Sequence, residues 1–239
     1  MLEVVAETGS TNADIAARLR SGEDIPEGYW LVADRQTAGK GRRGREWHDG
    51  AGNFMGSTVI HLRDDDTNFG AFNIPISVAL RDAVAGFVPD PSLLMLKWPN
   101  DLLLDRAKLA GVLMELVGDK IIVGIGVNLA SAPHVPNRRT AAIVDVAQQP
   151  RRNDFGDALA DAIARWLLRF REDDGIGARS RWLEYAHPRG TRLRVSDSGG
   201  EPIEGDFMML APNGSLVLRM AKGPPRPVHV GDVELVEVL

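Results

Sequence analysis

The sequence predicts an α/β protein of the α+β kind: a mixed, largely antiparallel sheet packed with helices, followed by a small C-terminal β-barrel. Three observations carry this expectation. The chain opens on a strand–helix–strand alternation, Leu2 to Ala6, Ala13 to Arg20 and Tyr29 to Ala33. From Leu93 it becomes a run of short apolar segments, Leu93–Lys97, Leu102–Leu104, Leu109–Val117 and Ile121–Val127. Their breaks, Pro99-Asn100, Asp105-Arg106 and Gly118-Asp119, are of the kind that close hairpins. After His187-Pro188-Arg189-Gly190 helical spacing gives way to short strands, with turns at Asp197–Gly200, Pro212–Gly214 and Gly223–Pro227. At about 150 residues per domain, 239 residues make one large unit and a small one. The boundary is expected at 187/188.

Ser10-Thr11-Asn12 supplies helix caps, Thr11 with Asp14 reads as a capping box, and Ser21-Gly22 closes the first helix. Gln36 to Gly52 carries five glycines and no periodicity, which makes it a long loop. Asn53 to Leu62 reads as a strand, Asp64-Asp65-Asp66 as a solvated turn and Ala71 to Val88 as a helix with Pro75 in its first turns. Asn153–Phe170 and Ile176–Tyr185 are helical by apolar spacing.

Composition narrows the classes of function. Forty-four per cent hydrophobic and 26 per cent charged residues suit a globular core, and no apolar run is long enough to cross a membrane as a helix. The opening Met1-Leu2-Glu3-Val4-Val5 has no secretion-signal order, so a cytoplasmic protein is expected. Without cysteine there is no disulfide or thiol chemistry. A net charge of −5 argues against general nucleic-acid affinity. The five histidines show no metal-ligand spacing, and no G-x-S-x-G elbow is present.

Chemistry concentrates in a few segments. Gly39-Lys40-Gly41-Arg42-Arg43-Gly44-Arg45-Glu46-Trp47 sets four cations against one anion, with glycines that let backbone N–H groups approach an anion; the alternative is a solvated or RNA-binding basic loop. It contains G-x-G-x-x-G, but a strand and not a helix follows, so the dinucleotide reading fails. Lys97-Trp98-Pro99-Asn100-Asp101 ends an apolar strand with a cation and a carboxylate, although a hairpin turn alone would explain it. Lys108-Leu109-Ala110-Gly111 opens the next strand, and antiparallel pairing can bring Lys108 to the same surface as Lys97. Gly124-Ile125-Gly126-Val127-Asn128 removes side chains from one face of the strand after it.

In this order the segments resemble the biotin protein ligases: Gly-Ser-Thr-Asn at 9–12, Gln36, the glycine–arginine loop, Lys97–Asp101, Lys108–Gly111 and Gly124–Asn128. The resemblance spans about residues 4–186. It implies a catalytic fold like that of class II aminoacyl-tRNA synthetases over 1–187 and an SH3-like barrel over 188–239. It implies biotin and ATP with Mg²⁺ as ligands, and biotinyl-5′-AMP as the intermediate. The acceptor is a lysine of a biotin carboxyl carrier domain, such as that of acetyl-CoA carboxylase. The first catalytic strand begins at Leu2, which suggests the short form without a repressor's DNA-binding domain.

By the same resemblance Ser10, Thr11, Asn12, Gln36, Lys40, Gly41, Arg42, Lys108, Gly124 and Gly126 bind biotin, while Arg42, Arg45, Trp47, Lys97, Asn100 and Asn128 bind ATP. Arg42, Lys108 and Asp101 are the catalytic set, with Asp101 also the candidate ligand for Mg²⁺. Lys40 stands where the family commonly has Arg, which keeps the charge without the planar fork. A monomer or weak homodimer is expected, with no nucleic-acid or membrane partner. The rival readings are a lipoate ligase and a non-catalytic nucleic-acid-binding module.

Overall fold

The computed structural model describes residues 2–64, 66, 68–196, 201–229 and 231–235. The turn expected at Asp197–Gly200, and Asp65 of the acidic turn, lie outside the described residues. The larger sheet has seven strands: β1 (Leu2–Thr8), β2 (Trp30–Gln36), β3 (Phe54–His61), β4 (Leu94–Lys97), β5 (Asp101–Leu104), β6 (Ala107–Val117) and β7 (Lys120–Val127). Its order is β1-β2-β3-β7-β6-β5-β4. Only β1 and β2 run parallel, so the sheet is mixed and largely antiparallel, as the sequence predicts. The β5–β6 hairpin turns on Asp105 and Arg106, both at positive φ, the conformation a two-residue turn with native twist requires.

Helix α1 (Thr11–Arg20) covers one face, where Ile15, Ala16, Leu31, Val59 and Ile122 form a small core. Helices α2 (Asn73–Ala85), α3 (Arg152–Glu172) and α4 (Ile176–Tyr185) belong to the main core, in which Phe54 meets the rings of Trp30 and Phe155. Pro75 is the third residue of α2, where its missing N–H has no intrahelical acceptor to lose. The capping box does not form. Ser10 caps α1 by backbone only, the Thr8 hydroxyl donates to Asp14, and the Thr11 N–H donates to Gln36 Oε1 at 2.8 Å. A tertiary partner has displaced the local one.

The second sheet is antiparallel and five-stranded, in the order β11-β10-β9-β8-β12. Its strands are β8 (Arg192–Ser196), β9 (Ile203–Leu210), β10 (Leu216–Arg219), β11 (Arg226–Val228) and β12 (Asp232–Leu235). Leu193, Val195, Phe207, Leu216, Leu218 and Val233 lie in the same apolar cluster as the main core. Trp98 Nε1 donates to the Gly214 carbonyl at 2.9 Å, and Trp182 meets Phe207 edge-on. Burial of a continuous apolar surface therefore fixes the position of the small sheet against the large one.

His187 sits at this junction, 2% exposed, edge-on to Phe207, and neither ring nitrogen has a hydrogen-bond partner among the described residues. Burial, with a smaller push from Lys97, lowers its pKa from 6.5 to about 4. The unfolded chain therefore binds this proton more readily than the folded one, and the stabilisation present above pH 6.5 is lost as pH falls towards 4. We expect urea unfolding to show up to about 3 kcal/mol less of that acid-side loss in His187→Leu than in the parent chain. Parallel pH profiles would contradict a buried neutral imidazole.

Candidate active site

A cavity of about 800 Å³ opens where the start of α1, the end of β2, the loop at 39–47, the β4–β5 turn, β6, β7 and β12 converge. It brings together Ser10, Thr11, Asn12, Gln36, Lys40, Gly41, Arg42, Arg45, Trp47, Lys97, Asn100, Asp101, Lys108, Gly124 and Gly126. Asn128 is not among the lining residues. It is buried, its Nδ2 donates to the Ala141 carbonyl at 3.0 Å, and its main chain pairs with Leu109 and Ile143. The structure thus uses it to hold the 141–143 segment.

Lys108 reaches the cavity through a register shift. Asp101 pairs with Gly111 and Leu102 with Ala110, but Leu103 pairs with Lys108, so Leu109 is the extra residue of a β-bulge. In an unbroken strand Lys108 would point away from the face that Gly111 occupies; the bulge buries Leu109 and turns Lys108 to that face. Its Nζ then stands 2.6 Å from Asp101 Oδ1, both side chains about one-fifth exposed. Lys97 lines the same wall, and burial lowers its pKa more than Asp101 raises it.

The 39–47 loop is a small hairpin. Lys40 bridges to Glu46, Gly41 N–H donates to the Arg45 carbonyl and Trp47 N–H to the Gly39 carbonyl. Arg43 and Gly44 supply the positive φ at its tip. Gly39 admits no side chain, because a Cβ there would lie 2.8 Å from the Trp47 carbonyl. The loop's arginines turn towards β12: Arg45 donates to Asp232, Arg43 lies 3.5 Å from the same carboxylate, and Arg42 is 4.0 Å from it. Arg42 Nη1 also donates to Asn100 Oδ1 and the Gly231 carbonyl, each at 3.4 Å. Burial lowers the Arg42 pKa, and Asp232 partly restores it.

Two strand glycines each receive a side chain from elsewhere. A Cβ on Gly124 would lie 2.3 Å from Asn12 Oδ1, and one on Gly126 would lie 2.3 Å from the Trp47 indole. Behind Asn12 runs a polar chain. Thr11 contacts Gln36 and Ser57, Ser57 donates to Asn12 Oδ1 at 2.6 Å, and Asn12 Nδ2 donates to Glu115 Oε2 at 2.7 Å. Sequence reasoning missed Ser57, Glu115, Asp232 and the rim residues 135–139. Ser57 and Glu115 had a signal, as polar groups in apolar strands; Asp232 had none.

As a metal centre the cavity is thin. Among the described residues no cluster of three carboxylate or histidine side chains could hold an ion, and Asp101 is engaged by Lys108. Such a donor set suits a magnesium ion delivered by phosphates, which typically keeps several waters and needs only one or two carboxylates.

Residues 7–129 match the Biotin/lipoate A/B protein ligase family. The chain is 34% identical to a biotin–[acetyl-CoA-carboxylase] ligase of Paracoccus denitrificans over 231 residues, covering 92% of this chain and 95% of the relative. It is also 34% identical to the Mycobacterium tuberculosis enzyme of the same name, covering 97% and 88%. The chain belongs to the biotin/lipoate A/B protein ligase family, among its biotin protein ligases. A biotin protein ligase from Aquifex aeolicus, solved with biotin and ATP, shares the fold, with a TM-score of 0.84 at 24% identity over 99% of both chains. The family match ends at residue 129, so the rim at 135–139 and Asp232 of this biotin protein ligase lie beyond it.

Replacing Gly126 by Ala should expel the Trp47 indole and loosen the loop without disturbing the strand. Trypsin cleavage at Arg42–Arg43 is expected to become several-fold faster at an unchanged urea midpoint. An unchanged cleavage rate would mean that the indole is not seated on Gly126.

Proposed function

We propose that this cavity activates biotin with ATP to biotinyl-5′-AMP, releasing pyrophosphate, and then transfers the biotinyl group to a lysine of a carrier domain. In the first step a carboxylate oxygen attacks the α-phosphorus and the bond to pyrophosphate breaks. In the second a neutral lysine amine attacks the acyl carbon, AMP leaves and an amide remains. The observation that carries this reading is the convergence of Lys97, Lys108, Arg42 and Arg45 on one cavity with the neutral polar wall of Thr11, Asn12 and Gln36.

An anionic nucleophile meets an anionic phosphate only where cations offset the repulsion, and preorganised donors of this kind are worth about 10²- to 10³-fold each in rate. Lys108 and Arg42 would bridge the biotin carboxylate and α-phosphate, Lys97 and Arg45 would take the remaining phosphate charge, and Trp47 with Asn100 would face the adenylate. Asp101 orients Lys108 and is the base nearest to hand for the incoming lysine's proton. Magnesium would supply charge neutralisation on the phosphates. The polar wall suits a ureido ring better than the apolar chain of lipoate. An acetyl-CoA carboxylase carrier domain is the proposed acceptor, and the cytoplasm the proposed place of work.

Residues 1–187 would form the catalytic unit and 188–239 a closing unit, because Gly231 and Asp232 of the second sheet hold the loop arginines. Acyl adenylates hydrolyse, so a closed loop protects the intermediate.

Exchange of pyrophosphate into ATP should depend on biotin and not on lipoate, and Lys108→Ala should lower it at least about 100-fold with the fold retained. Exchange with lipoate alone would transfer the assignment to the other branch of the family. Biotin with ATP should suppress tryptic cleavage at Arg42–Arg43, and Asp232→Asn should weaken that protection. Equal cleavage in all states would count against the lid.

A further inference from the structure

Glu115 lies on the exposed part of β6, outside the catalytic groups assigned above, yet its carboxylate ends a buried chain of polar side chains. Proton counting shows what that end does. Thr11 Oγ1 and Ser57 Oγ are 2.6 Å apart, and Ser57 Oγ and Asn12 Oδ1 are also 2.6 Å apart. Each hydroxyl has one proton to give. A carboxylate accepts only, so it must face the Asn12 NH₂, at 2.7 Å from Nδ2, which leaves Oδ1 facing Ser57. Ser57 must then donate to Asn12, and Thr11 must give its single proton to Ser57 at 2.6 Å in preference to Gln36 Oε1 at 3.1 Å, because the shorter contact cannot hold facing lone pairs and the longer one can relax. The chain therefore runs in one direction, from Thr11 through Ser57 and Asn12 towards Glu115.

Without the carboxylate the opposite direction satisfies the same atoms. A flipped Asn12 donates to Ser57, Ser57 to Thr11, and Thr11 to Gln36 Oε1, which is already within 3.1 Å. The two directions present different chemistry to the cavity. In the first, Thr11 has spent its proton inside the wall and offers the ligand lone pairs. In the second Ser57 takes one of those lone pairs and the Thr11 proton goes to Gln36. A cyclic urea brings two N–H donors, and the first direction, which leaves both Thr11 lone pairs free of Ser57, matches them better. The Asn12 amide occupies the space that a Cβ on Gly124 would fill, and a flip of that amide interchanges the two directions.

We propose that Glu115 is a positioning residue for substrate specificity: it fixes the polarity of the Thr11–Ser57–Asn12 chain so that the wall accepts the N–H groups of the biotin ureido ring. The proposal rests on the biotin-ligase reading. Glutamine at 115 can donate or accept and so permits both directions, while alanine imposes neither.

Calorimetric titration with biotin alone tests this on the full chain, because the ring site is read without catalysis. Glu115→Gln and Glu115→Ala should each weaken biotin binding about tenfold, a loss of about 1.4 kcal/mol. The KM for ATP and kcat at saturating biotin should stay within twofold. Ser57→Ala should produce a similar loss on its own, and adding Glu115→Gln to it should cost little more, since the chain is already cut. Unchanged biotin affinity in both Glu115 variants would overturn the proposal while leaving the ligase reading intact. So would parallel changes in ATP KM and kcat, or full additivity with Ser57→Ala. A parent chain that does not bind biotin would overturn both.

Discussion

The site depends on keeping several like charges close together and partly dry. Lys97, Lys108, Arg42 and Arg45 share one cavity in a chain whose net charge is −5. Cations removed from water lose hydration, and neighbours of the same sign add repulsion. Both effects are visible at Lys97 and Arg42, whose pKa values fall with burial and with the cations around them. Two carboxylates offset the cost from opposite sides: Asp101 against Lys108, and Asp232 against the loop arginines. What remains is a field that an incoming phosphate or carboxylate can relieve, so ligand binding and charge compensation are one event.

The second sheet enters the active site through this requirement. Arg45 and Asp232 are 187 positions apart in sequence, and their contact forms because the apolar core runs on from the large sheet into the small one. Hydrophobic burial places β12 beside the loop, and electrostatics then holds the loop to β12. A loop of glycines and arginines alone would have little reason to settle over its own cavity. Bound to Asp232, it is held at the rim of the cavity.

Much of this was legible in the sequence. Alternation and turn signals gave the β4–β7 run, whereas regular antiparallel pairing would leave Lys108 on the face away from Lys97, and it is the bulge that brings both to one cavity. What stayed hidden has physical causes. The bulge at Leu109 is a property of the β5–β6 pairing and has no local signature. The Thr11–Asp14 capping box looked sound but lost to Gln36 and Thr8, because side chains that can cap a helix can equally bond across a sheet. Asn128 stands in the right motif, yet its amide secures the neighbouring segment.

The glycines of β7 show how a strand can measure out a site. Gly124 and Gly126 are two residues apart, so they open on the same face about 7 Å from one another. Asn12 settles over the first and Trp47 over the second. Across the ladder Gly126 pairs with Gly111, where a Cβ would crowd both Lys108 Nζ and the Trp47 ring. The paired glycines therefore make a flat floor beneath the indole and the lysine, while the other glycine fixes the polar wall one strand repeat away. Under the proposed chemistry this repeat separates the end that recognises the vitamin from the end that handles the nucleotide. The distance is set by backbone geometry and not by the rotamers of long side chains. A site meant to join two flexible anions gains from that rigidity, since positioning error in a strand is smaller than in a loop.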